Sequence, residues 1–155
     1  MYNKLSMSFR EKSAWITLLL LLAVYGPYFI HISHLAQNGE LSLPALVKIF
    51  ISALFLQIIV AVIAHVAISI GRRVEAKDER DRAIEAKAFR NGYFVFISAI
   101  SCAAIGILML SPFPEPAANS GWLSGAGISQ ILLLCMVLAE ITKYGTHVVC
   151  YRRGA

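Results

Sequence analysis

The chain has 155 residues, 58% hydrophobic and 15% charged, with a mean hydropathy of +0.69. Soluble globular domains are roughly 45–50% apolar and about 25% charged, so this composition excludes an ordinary water-soluble fold and fits an integral membrane protein. The net charge of +5 would suit a nucleic-acid partner, but the cations flank apolar runs, which points to an anionic lipid surface instead.

The first apolar run covers 14–32, behind a basic stretch with Lys4, Arg10 and Lys12. It is longer than a signal h-region and no Ala-x-Ala site follows it, so it reads as an uncleaved span. Trp15 suits the interface at its start, and Gly26-Pro27 predicts a kink in its outer third. His31 and His34, three apart at its end, have no carboxylate or thiol close in sequence. Metal sites need three or four placed ligands, so neither a metal nor a haem is expected, and no cofactor is assigned.

The second run covers 49–70. Its face of Ala53, Gln57, Ala61, His65 and Ser69 is small and polar, which suits close helix packing. The stretch 71–91 then forms a charged elbow. Within it, KDERDRAIEAKAFR holds nine of the chain's 23 charged residues in fourteen positions. Ala, Glu, Lys and Arg dominate and Gly and Pro are absent from 74–90, so a helical hairpin or elbow is predicted, with Asp78 and Glu79 poised to pair with Arg82. Val74, Asp81, Ile84 and Ala88 give it only a faint stripe. Two readings stay open for the elbow: self-paired charges, or a docking surface centred on Asp78, Glu79, Arg80, Asp81 and Arg82.

The third run covers 93–110, with Ser98, Cys102 and Gly106 at four-residue spacing. The fourth covers 128–149 and carries Glu140, Lys143 and His147. Counted from Tyr151, Glu140 lies about 16 Å deep. Gln130, Leu133, Met136, Glu140, Lys143 and His147 step by threes and fours along one side of the helix. His65 falls at the depth of Lys143 and His147, so a polar cluster of His65, Gln57, Glu140, Lys143 and His147 is predicted. It would either glue spans two and four by hydrogen bonds or form a proton or ion site.

Thirteen of the fourteen Lys and Arg residues fall on one side of such a chain, Lys48 being the exception. The positive-inside rule then places both termini in the cytoplasm. The three cysteines lie within or at the ends of spans, so a structural disulfide is not expected. Phe9-Arg10 and Phe89-Arg90, and likewise Arg72-Arg73 and Arg152-Arg153, share an offset of 80 (89 − 9 = 152 − 72), which raises a parallel repeat of two helical hairpins against chance.

SFREKSAWITLLLLL, KDERDRAIEAKAFRNGYF and AEITKYGTHVVCYRRGA together resemble a group of uncharacterised small bacterial inner-membrane proteins with four spans and an Asp-Glu-Arg-rich cytoplasmic loop. The resemblance covers nearly the whole chain. It implies the topology and singles out Asp78, Glu79, Arg80 and Asp81, and it carries no activity.

The expectation is an all-α, polytopic membrane protein, a single four-helix domain over 1–155. It is an antiparallel bundle in the bacterial inner membrane with both termini inside, and a homo-oligomer is one open state. No nucleophile–base set, phosphate loop or cluster of acidic ligands is present, so it is read as non-enzymatic. Its role would be structural, regulatory or partner-docking through the elbow, with membrane lipids and a cytoplasmic or membrane protein as partners and no nucleic acid. The alternative is an oligomeric ion- or proton-coupled transporter or channel built on Glu140 and His65.

Overall fold

The computed structural model describes residues 8–40, 42–70, 78–110 and 124–153. These form four helices: α1 (Phe9–Gln37), α2 (Leu43–Ser69), α3 (Glu79–Leu110) and α4 (Gly125–Arg153). All four are long and apolar enough to cross a membrane. In hydrocarbon a helix is what satisfies every backbone polar group within one segment.

Local chemistry sets the helix starts. The Ser8 hydroxyl accepts from the Glu11 amide at 3.1 Å, the Ser124 hydroxyl from the Gly127 amide at 3.1 Å, and the Asp78 carboxylate from the Asp81 amide at 2.7 Å. Each is an N-cap to the third helical residue. α2 starts behind Ser42 with a proline in its first turn, where a missing N–H leaves nothing unpaired.

α1 ends in a Schellman motif. The Glu40 amide returns to the Leu35 carbonyl at 2.9 Å and the Gly39 amide to Ala36 at 3.3 Å. Gly39 stands at φ 72°, the left-handed region that a Cβ disfavours, which makes the sharp connection into α2 possible.

α1 is the central helix. Leu21, Tyr25, Tyr28 and Ile32 step by fours and threes along one face and are buried with Leu46 of α2 and Val137 of α4. The main contacts run between α1 and α2, α1 and α4, and α3 and α4. The helices thus follow one another in the order α2, α1, α4, α3.

The α3–α4 seam is closest at Gly92. A Cβ there would meet the Ala139 carbonyl and the Lys143 Cβ, both at 3.1 Å. Among the described residues the small ridge of Ser98, Cys102 and Gly106 faces no helix: Ser98 and Cys102 are exposed and a Cβ on Gly106 would meet nothing within 4 Å.

The charged stretch from Glu79 onward is helical, as its composition predicts: it forms the first turns of α3, continuous with the apolar run that follows. One sequence expectation needs correction. The Asp78 carboxylate caps this helix, and neither Glu79 nor Arg82 makes an ion pair among the described residues, so the predicted pairing with Arg82 does not form. The elbow residues 71–77, and with them Val74, Arg72 and Arg73, lie outside the described residues. α1 continues through Pro27.

Candidate functional site

The predicted cluster around Glu140 divides into separate groups. Glu140 does pair with Lys143, whose ammonium lies 2.9 and 3.2 Å from its two oxygens. The same ammonium sits 4.8 Å from the ring centroids of Phe89 on α3 and Tyr144 on α4. Cation–π attraction adds to the ion pair where water is scarce. Lys143 is therefore held in the α3–α4 seam.

His65 is elsewhere. Its Nε2 lies 3.1 Å from the Ser13 hydroxyl and 3.4 Å from that of Thr17, both on α1, and its Nδ1 lies 2.8 Å from the Ala61 carbonyl. The polar face of α2 is its less exposed face, with Ala53, Gln57, Ala61 and His65 all half-buried, and α1 is its main neighbour, the helix that His65 bonds. The Gln57 Oε1 is buried without a hydrogen-bond partner. Gln130 also turns to α1, where the Tyr28 hydroxyl donates to its Oε1. His147 stacks nearly parallel on Tyr151, ring centroids 6.2 Å apart.

Sequence reasoning missed a second cluster, where the starts of α1 and α3 meet the end of α4. The Arg10 guanidinium reaches the Asp81 carboxylate at 2.9 Å, and the Tyr151 hydroxyl donates to the other oxygen of Asp81 at 2.9 Å. One carboxylate thereby joins three helices. Beside it Arg152 Nε lies 2.9 Å from Glu11 Oε1 and its guanidinium carbon 5.9 Å from the Trp15 ring centroid. The Glu11 oxygen accepts no directed hydrogen bond, so this contact is one of charge.

Asp81 and Tyr151 lie outside the apolar runs 93–110 and 128–149. Partial burial of Asp81 works against its charge. The Tyr151 hydroxyl, Arg10 and the bonds to Asp78 outweigh that and hold its carboxyl below the usual range. Burial first, then the Asp81 carboxylate, push the Tyr151 hydroxyl up to about 12.

Asp81 shares its face with Ile84 and Ala88, 3% and 0% exposed, so the faint stripe is the packed side of α3. Glu79, Arg80, Arg82, Ala83, Ala86 and Arg90 are exposed. The junction could have been glimpsed from that stripe and from Ser8-x-x-Glu11, a capping-box spacing; its partners could not.

His31 and His34 are both exposed at the end of α1, and among the described residues no three His, Cys, Asp or Glu side chains come together as metal donors. The three cysteines are free. Arg10 and Arg90, equivalent in the 80-residue offset, sit differently: one is joined to Asp81 and the other is exposed. No family model, curated protein or solved structure matches this chain, so its site is read from its own geometry.

Proposed function

We propose that the protein is a non-enzymatic component of the bacterial inner membrane that docks a protein partner on the charged first turns of α3. Its four helices cross antiparallel with both termini in the cytoplasm. In support, Glu11 meets Arg152 at one end of α1 while Tyr28 meets Gln130 toward the other, and among the described residues all Lys and Arg but Lys48 belong to the half of their helix nearer the first of these ends.

The observation that carries the docking reading is the Asp81 junction. By tying the first turn of α3 to both α1 and α4, it turns a charged segment into a fixed rod whose outer side presents Glu79, Arg82 and Arg90. Preorganised charges lose less ordering entropy when a partner binds. Reversing Glu79 and Arg82 together should abolish co-purification of the partner and leave the melting temperature unchanged. Retention of the partner at parental yield contradicts the proposal.

A second reading is favoured by one observation. The Glu140 side chain, deep in the span, is 39% exposed on the surface of the chain. A carboxylate facing lipid is costly, and a second copy would cover it. An oligomeric proton or ion path through Glu140 predicts a flux in liposomes that Glu140→Gln removes; its persistence in that variant contradicts the path.

A further inference from the structure

We propose that the groove between α3 and α4, on the side away from Glu140, binds the headgroup phosphate of an anionic phospholipid. The inference rests on the reading above that this end of the bundle lies at the membrane surface.

The groove is lined by Lys87 and Asn91 from α3 and by Gly145, Thr146, Val149 and Arg153 among the residues of α4, and no acidic side chain lines it. Three other cations at this end are matched by acids: Arg10 by Asp81, Arg152 by Glu11 and Lys143 by Glu140. Lys87 and Arg153 make no ion pair among the described residues. Two uncompensated cations thus flank one cleft. A phosphodiester fits that pair, Arg offering a planar fork and Lys a compact charge.

The groove is built across the seam rather than left over on a surface. The Asn91 amide donates to the Thr146 hydroxyl at 3.3 Å, and that hydroxyl donates to the Thr142 carbonyl at 2.8 Å. The second amide hydrogen of Asn91 remains for a ligand oxygen. Farther along, Val149 and Gly145 make the lining apolar and open, since a Cβ at Gly145 would meet nothing within 4 Å. From Arg153 to Gly145 is about 12 Å of helix, the reach of a glycerol backbone and the first carbons of an acyl chain. Paired cations at one end and an apolar floor at the other fit a lipid better than free phosphate. Basic pockets between spans at the cytoplasmic side recognise anionic headgroups in this way.

The test is lipid retention by the full chain, delipidated in maltoside detergent and followed by native mass spectrometry with phosphatidylglycerol or phosphatidylcholine. Because no bilayer is present, its outcome does not depend on which way the protein crosses the membrane, and reporter fusions at the termini test that reading separately. Phosphatidylglycerol should be retained over phosphatidylcholine by about thirtyfold, the preference that two interfacial cations provide at about 1 kcal/mol each. Lys87→Gln with Arg153→Gln should erase the preference. Gly145→Leu, which keeps both charges and fills the floor, should weaken retention as well. Arg82→Gln, on the outer side of α3, should change nothing. Equal retention of the two lipids overturns the site, as does an Arg82→Gln loss as large as that of the double variant. Displacement of the lipid by an equal concentration of glycerol 3-phosphate overturns the lipid assignment.

Discussion

The Asp81 carboxylate, on the first turn of α3, accepts the Tyr151 hydroxyl from the last turn of α4 at 2.9 Å, while Arg10 of α1 holds its other oxygen. Removing one member strands the others. Asp81→Asn should lower stability by about 2 kcal/mol, as expected for hydrogen bonds to a charged group, and Tyr151→Phe by less. A double-mutant cycle between Arg10→Gln and Asp81→Asn should give a coupling of about 1 kcal/mol. Arg82→Ala, exposed on the same helix, should stay within about 0.5 kcal/mol of the parent. Thermal unfolding in detergent measures all four.

The junction should also respond to acid. Asp81 has a lowered pKa in the fold, so its contribution is present above the unfolded value, about 4, and is lost as pH falls through the lower folded value. Tyr151 has a raised pKa, so its contribution is present below its unfolded value, about 10, and is lost as pH rises towards about 12. The gap in melting temperature between the parent and Asp81→Asn should therefore begin to narrow as pH falls below about 4 and close only below the lowered folded value. A gap that does not narrow on acidification contradicts the assignment.

Glycine at 92 and at 106 should behave in opposite ways. Ala at Gly92 forces a Cβ to within 3.1 Å of α4, and overpacking of that kind costs about 1–3 kcal/mol. Ala at Gly106 meets nothing within 4 Å and should be neutral or stabilising by up to about 1 kcal/mol through helix propensity. Unfolding of the two single variants decides this.

His65 and Glu140 should act independently. They share no hydrogen-bond partner, so His65→Asn and Glu140→Gln should add to within about 0.5 kcal/mol. A larger coupling would mean that the two groups meet, as a shared proton path through them requires.

How much of this was legible depends on what the sequence encodes locally. Four apolar runs forced four helices, because length and the absence of water leave the backbone no alternative. Counting residues from the helix ends gave His65 and Lys143 the same expected depth. Its azimuth was not readable: α2 is apolar almost all round, so the rotation that turns Gln57 and His65 toward α1 instead of α4 is set by packing. The run of α3 into the charged stretch was readable, because Ala, Glu, Lys and Arg without Gly or Pro favour a helix in a polar environment as well as an apolar one. Asp81 was visible on the stripe with Ile84 and Ala88. Arg10 and Tyr151, 71 and 70 residues away in the chain, carried no local sign of meeting it.

The most direct test of the docking account is site-specific photo-crosslinking in intact cells, with the crosslinker placed in turn at positions 79, 82 and 90 and, as a membrane-facing control, at the exposed Ile105. The account predicts one discrete protein adduct common to the three ridge positions and missing at position 105. No adduct at the ridge, or the same adduct at position 105, would contradict it.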